Sequence, residues 1–308
     1  MIRIGVIILP ERDWDTDRKR WERADCYGFD HAWTYDHLAW RTLADGPWHA
    51  TLPTLVGAAL TTSRIRLGTL VTTPNFRHPV PLAKDLMTLD VMSRGRISVA
   101  LGAGAPGYDS AVLGGEELSP ARRHARFVEF RGLLDRLLSQ PVTNWSGDWY
   151  SAVDARMIPG PVQRPRPPFL VAADGPRGMR VAAAGARRPG DGWVTMGTRD
   201  RGLEEAAWWR DVARTACRMD ETLEGAWPYV RMLNMESGTA SLSSVDHLRD
   251  RLGRATELGF TDVTIAWPRK DQPFRGDEAL LDAIAAELPD LRRIGVAAGS
   301  SSPPHPVS

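Results

Sequence analysis

Residues 64–104, RIRLGTLVTTPNFRHPVPLAKDLMTLDVMSRGRISVALGAG, decide the architecture of this chain. The segment holds an apolar run at Arg66–Thr72, a helical stripe, and a second apolar run at Arg96–Gly102. Leu82, Leu86 and Leu89 recur at i, i+4 and i+7, with Lys84, Asp85 and Asp90 elsewhere on the surface; that is the helical period. The run ISVAL does not alternate with polar residues, as in a strand covered on both faces. A strand, a helix and a strand in this order make a βαβ unit, whose strands run parallel.

The same alternation continues in both directions. Further candidate strands are Arg3–Leu9, Asp30–Thr34, Phe169–Ala173, Gly192–Met196, Tyr229–Met235 and Asp262–Trp267. Eight such strands favour closure into a barrel over an open doubly wound sheet. The expected fold is therefore α/β, a (β/α)8 TIM barrel with insertions. Phe127, Phe130, Leu134 and Leu137 form a second helical stripe, and Val245, Leu248 and Leu252 a third. Ser119 before Pro120 is a helix start signal, and Ser244 and Asp277 are expected caps. Residues 141–168 break the pattern. Asn144–Tyr150 reads as a small hairpin turning at Gly147, followed by a proline-rich crossover, an insertion within one domain. The expected organisation is one barrel over residues 1–298 and a disordered Pro/Ser-rich tail at 299–308.

Composition narrows the class. The chain has 308 residues, long enough for a large core without disulfide staples. Its 39 Lys and Arg balance 38 Asp and Glu, which gives no reason to expect nucleic acid or an anionic membrane as a partner. Cys26 and Cys217, distant and both on expected helices, form no disulfide framework; a reducing, cytoplasmic setting fits. The apolar run near the N-terminus is broken by Pro10 and is too short for a signal or a membrane span.

Chemistry in such a barrel sits where strands end, at the C-terminal face. Asp36–His37 follows the second strand. A histidine there exchanges a proton near neutral pH, and Asp36 is the candidate to fix its tautomer or raise its pKa; the alternative is a histidine satisfying a loop carbonyl. Glu11, after the first strand, is the next candidate proton donor. It needs burial to hold its proton at neutral pH. Gly68 lies inside an apolar strand, marking a bulge, a close approach or core packing. Gly102 and Gly104 let backbone approach a flat ligand, without the spacing of a dinucleotide fingerprint. Asp174-Gly175-Pro176-Arg177-Gly178 reads as a tight turn into a helix, either an anion site with Arg177 adding charge or an ordinary turn. Arg122 and Arg123 are a second place for an anion. Trp14, Trp40, Trp48 and Tyr108 are candidates for an aromatic pocket or for loop packing. No cluster has metal-ligand spacing.

Five stretches, GFDHAWTYDH (28–37), RIRLGTLVTTPNFRHPV (64–80), TLDVMSRGRISVALGAG (88–104), VQRPRPPFLVAADGPRGMRVAA (162–183) and GDGWVT (190–195), together carry a resemblance. To about residue 295 the chain resembles the bacterial luciferase-like group of flavin and deazaflavin (coenzyme F420) oxidoreductases. The resemblance implies a (β/α)8 barrel, usually a homodimer, with a flavin-type ring at the mouth. It places the ring against a bulge with a non-proline cis peptide, which falls on Leu70–Val71. Asp36, Leu70, Val71, Thr72, Gly102 and Gly104 become cofactor-binding candidates, and Asp174–Gly178 the phosphate site. Two departures from the family pattern stand out. Ala103 stands where FMN enzymes of the group carry an arginine, and Ala105 where its sugar-phosphate dehydrogenases carry a catalytic glutamate. The implied activity is F420-dependent hydride transfer to a small organic substrate with C=C or C=N character, His37 supplying the proton. The alternatives are an FMN-dependent monooxygenase served by a partner flavin reductase, and a non-catalytic flavin-binding barrel.

Overall fold

The computed structural model describes residues 1–185, 188–197, 204–223, 229–236 and 243–294; the expected tail at 299–308 lies outside the described residues. In chain order the elements are β1 (Arg3–Ile7), α1 (Trp14–Tyr27), β2 (His31–Thr34), α2 (Thr51–Thr61), β3 (Arg66–Thr72), α3 (Pro79–Met92), β4 (Ile97–Leu101) and α4 (Tyr108–Ala111). Then come α5 (Pro120–Ser139), β5 (Val142–Ser146), β6 (Ser151–Arg156), β7 (Phe169–Ala172), α6 (Pro176–Gly185), β8 (Gly192–Thr195), α7 (Glu205–Leu223), β9 (Val230–Asn234), α8 (Val245–Glu257), β10 (Asp262–Ala266) and α9 (Ala279–Leu291). The eight expected strands are present, each within two residues of its expected ends.

These eight close into a barrel in the order β1-β10-β9-β8-β7-β4-β3-β2, every pair parallel. The seam joins β1 to β10, from Arg3 opposite Asp262 to Ile7 opposite Ala266. The β5–β6 pair is the expected hairpin, antiparallel and outside the barrel. Glu129 of α5 holds it, accepting from the indole of Trp145 and from the backbone N–H groups of Trp149 and Tyr150. The serine capping signals act as their chemistry dictates. Ser119 and Ser244 accept from Arg122 and His247 N–H; at α9 the N-cap is Glu278, without a side-chain cap bond, and Asp277 stands one residue before it, accepting from Ala279 N–H at 2.9 Å.

Side-chain alternation along the strands builds two apolar shells. Ile7, Leu9, Trp33, Tyr35, Leu70, Ala100, Leu170, Val194 and Met232 fill the barrel. Ile4, Val6, Val99, Phe127, Phe130 and Leu252 belong to the shell under the helices. A Cβ on Gly68 would sit 2.3 Å from the Trp33 ring, so this glycine serves core packing. The N-terminal floor of the barrel is polar. Asp262 accepts from Arg3 Nε and Nη2, both at 2.7 Å, and lies 3.2 Å from His31 Nε2. Trp33 Nε1 donates to His31 Nδ1 at 2.7 Å, which leaves the proton on Nε2, facing the carboxylate. Burial pushes the Asp262 carboxyl up, but His31 and Arg3 outweigh it and hold it well below the usual carboxylate range.

A second buried ionic lock fixes the crossover into β7. Arg166 donates from Nη1 and Nη2 to Asp191, both at 2.8 Å, and its guanidinium lies 3.7 Å from the centre of the Phe169 ring. Asp191 also accepts the Phe169 N–H at 2.7 Å. Cys26 and Cys217 are free and exposed.

Candidate active site

His37 and Asp36 leave β2 together and part at once. His37 Nδ1 lies 2.5 Å from Oδ2 of Asp109 in α4, whose other oxygen accepts the Leu38 N–H at 2.8 Å. A carboxylate only accepts, so Nδ1 carries the proton and Nε2, without a partner among the described residues, is the exchangeable position. Asp36 is therefore not the residue that orients His37. It is fully buried, accepting from Arg77 Nη2 at 2.6 Å and Nε at 3.2 Å, and from Thr72 Oγ1 at 2.8 Å. Consecutive side chains on extended backbone face opposite sides, so two sequence neighbours cannot share one partner here. Asp36 instead fastens the end of β2 to the end of β3.

That end of β3 is irregular. The β3–β4 register shifts between Thr69 and Thr72, and the Leu70–Val71 peptide is cis. Val71 lies close to Gly102, where an added Cβ would be 3.0 Å from Val71 Cγ2. Gly104 has φ +77°, and a Cβ there would be 2.4 Å from the Asn75 side chain. Asn75 donates to the Ala105 carbonyl at 3.0 Å and accepts from Arg126 at 2.8 Å, tying the loops after β3 and β4 together. Bare backbone and a bulge thus meet on one side of the mouth. Because Asp36 braces this bulge, Asp36→Ala should cost about 2–4 kcal/mol in denaturant unfolding, the scale for breaking a mostly buried ion pair, discounted because Arg77 is part exposed. Thr72→Val, which loses a single bond, should cost about 1 kcal/mol.

Glu11 does not stand as a free acid. Both its oxygens accept from Arg269, at 2.8 and 2.7 Å, with both side chains buried. A carboxyl clamped by a bidentate guanidinium acts as a strut across the seam rather than as a proton donor. Arg269 also donates to the Pro273 carbonyl at 2.8 Å, shaping the loop that presents Phe274. Phe274 and Trp48 both stack on Trp40, at 6.0 and 6.1 Å ring centre to ring centre, and Tyr35 lies 4.9 Å from the same ring, so these form one wall. Trp14 instead packs over Gly57 of α2, and Tyr108 is exposed, so neither belongs to this wall.

The turn after β7 is the expected entry to a helix, with Pro176 at its first position. Thr195 Oγ1 donates to Asp174 at 2.6 Å. Gly178 packs so closely that a Cβ would lie 2.8 Å from that of Ala173, while nothing stands within 4 Å of a Cβ on Gly175. The first-turn N–H groups of Arg177 and Gly178 have no intrahelical acceptor. Positive charge gathers beside them: burial, then Arg177 and Arg180, hold the His124 imidazole below its ordinary value. Next to the turn, a cleft of about 340 Å³ is lined by Asp174, Gly175, Gly197, Arg214 and Arg218 among others. Arg122 and Arg123 are engaged elsewhere, with Glu116 and the Leu118 carbonyl.

Asp109, Asn75, Arg269 and Phe274 escape the sequence reading. Only their position in loops after strands marks them, and many residues share it. Among the described residues no group of three His, Cys, Asp or Glu is placed to hold a metal ion, and no helix is long and apolar enough to cross a membrane.

An F420-dependent glucose-6-phosphate dehydrogenase of Amycolatopsis mediterranei is 36% identical over 208 residues, covering 66% of this chain and 60% of that protein. The chain thus matches less than two thirds of that relative's length. The solved structure of an F420-dependent secondary alcohol dehydrogenase, in complex with an F420-acetone adduct, aligns with TM-score 0.75 at 16% identity, over 94% of this chain and 99% of that one. A monooxygenase from Streptomyces bottropensis aligns with TM-score 0.73 at 22% identity, over the same shares. At these identities the two structures speak for the fold alone. The sequence profile of the luciferase-like monooxygenases matches residues 2–228, most of the chain, and the chain belongs to that family.

Proposed function

We propose that this chain is a coenzyme F420-dependent oxidoreductase acting on a small organic substrate. The observation that carries the reading is the His37–Asp109 pair, with a free Nε2, set at the mouth of a barrel whose β3 end forms a bulge. The residues present fit the cofactor. Leu70, Val71 and Thr72 with Gly102 and Gly104 offer a surface of backbone against which a flat ring can lie. The Asp174–Gly178 turn, with the first-turn N–H groups of its helix, Arg177 and the adjoining cleft, suits a phosphate. Ala103 leaves an FMN phosphate without the arginine that FMN enzymes of the group place there. When bound in its reduced form, the deazaflavin supplies a hydride. The protein's own residues do the rest. The bulge orients the ring, the Trp40–Trp48–Phe274 wall excludes water, and His37 delivers a proton from Nε2 while Asp109 holds the imidazole in place. Ala105 speaks against a sugar-phosphate substrate.

Fluorescence titration with F420, reduced F420, FMN and reduced FMN tests the cofactor. Binding of F420 forms well ahead of FMN is the expected result, and the reverse order would support a monooxygenase. Arg177→Glu should weaken F420 binding by about 10-fold or more, a loss of roughly 1.4 kcal/mol. The apo protein should melt almost unchanged, because Arg177 is exposed. Unchanged affinity would place the phosphate elsewhere.

A further inference from the structure

One polar group in the barrel mouth has no work in the account above. Glu236 lies two residues beyond the end of β9. Met232 and Leu233 of β9 face the barrel interior and the outer shell in turn, so alternation directs Asn234 inward, and Glu236, in the turn beyond it, is held beside that side chain at the C-terminal end. The contacts agree: Glu236 N–H donates to Asn234 Oδ1 at 3.1 Å, and Asn234 Nδ2 approaches Glu236 Oε2 at 3.4 Å. Oε2 has no other partner among the described residues. Oε1 is sealed from solvent and has none among the described residues, although the residue as a whole keeps some exposed surface.

Among the described residues no cation is paired with this carboxyl. The guanidinium of Arg269 is committed to Glu11 and that of Arg77 to Asp36, and His37 is paired with Asp109. Burial alone acts on Glu236 and pushes its carboxyl well above the usual carboxylate range. A group in this condition holds its proton and presents an O–H that lacks an acceptor, which disfavours the empty protein and is relieved by a ligand.

Position relates it to His37. Around the ring the order β2-β1-β10-β9 places their strands three steps apart out of eight, so the two groups face the mouth from nearly opposite rims. Two donors so separated suit a substrate whose hydrogen-bond acceptor and proton-receiving atom are different atoms. We propose that Glu236 is a second substrate-contacting residue, its carboxyl O–H donating to the carbonyl oxygen of an uncharged α,β-unsaturated carbonyl compound whose α carbon faces His37.

This rests on the F420 reading and names its substrate class. In the reaction a hydride from the reduced deazaflavin adds to the β carbon, and the C=C electron pair shifts onto the carbonyl oxygen, where the Glu236 O–H holds the charge. His37, entering the step as the imidazolium with its Nδ1–H on Asp109, then gives its Nε2 proton to the α carbon and is left neutral as the carbonyl reforms. The C=C bond is reduced, the deazaflavin is oxidised, and Glu236 keeps its proton throughout.

Infrared difference spectroscopy of the apo protein, wild type minus E236Q, should show the C=O band of a protonated carboxylic acid at neutral pH. That band should move to lower frequency when cyclohex-2-enone is added to the F420-loaded protein. In kinetics with the same enone, E236A should lower kcat/KM by about 10²–10³-fold, as for loss of an oxyanion donor, with F420 affinity unchanged. E236Q, whose amide still donates, should retain much more activity. A carboxylate band in the wild-type apo protein, or E236A turning over the enone at the wild-type rate, would overturn the proposal. Failure of F420 to bind would instead overturn the cofactor reading, and the apo spectrum separates the two.

Discussion

His37→Asn is expected to lower turnover by roughly 10²–10⁴-fold, the usual contribution of a positioned general acid, with F420 affinity staying within a few-fold. The argument lies in what each nitrogen does. Asp109 takes the Nδ1–H, so Nε2 is the nitrogen left to face the mouth, and in the imidazolium it carries the proton to be given. Asparagine at 37 fills similar space and has no proton of comparable acidity to give. Asp109→Asn should be milder in binding but still costly in rate, because an amide can donate as well as accept and no longer dictates which nitrogen is protonated. Single-turnover oxidation of reduced F420, measured beside cofactor titration, separates the two effects. If binding falls in step with rate, His37 only shapes the pocket. Retained activity would move the proton to another donor, and Glu11 is disqualified by its clamp to Arg269.

Asp191→Ala should cost about 3–5 kcal/mol in unfolding free energy, the scale for stranding one partner of a buried ion pair. The Asp191 and Arg166 side chains are each 2% exposed, and Asp191 also holds the Phe169 N–H. Removing the carboxylate leaves a guanidinium whose remaining acidic partner, Asp135, is partly solvated. The lock sits where β8 begins, at the end of the barrel away from the mouth, so the folded fraction should keep its kcat. Urea denaturation tests it: a loss under 1 kcal/mol would mean that the neighbourhood relaxes around Arg166. Replacing Arg166 and Asp191 together by apolar residues should restore most of the loss.

The barrel was legible because burial on both faces writes continuous apolar runs into the strands, and because helix stripes fall between them. IGVIIL and ISVAL carry their own boundaries to within two residues. The cis bond is different. Nothing in a Leu–Val pair announces a cis amide, and only likeness of a longer stretch pointed to it. Ionic partnerships were the least legible. Asp36 stands beside His37 in sequence and serves Arg77 and Thr72 in space, whereas the partner of His37 lies 72 residues on. Glu11 looked titratable because its loop is at the mouth, but the guanidinium that claims it is 258 residues away. The isolation of Glu236 is a tertiary property, the sum of what surrounds it.

The polar floor has a consequence for kinetics. With Arg3, His31 and Asp262 occupying the N-terminal end and apolar side chains filling the barrel, the ligands proposed above would reach their site from the C-terminal mouth. Molecules sharing a single doorway queue by depth. A ring lying against the Leu70–Val71 bulge, as proposed above, would have to arrive before a substrate that covers it and depart after. The geometry therefore favours a compulsory order of arrival and departure, with the ring as the lodger and the substrate as the passing visitor.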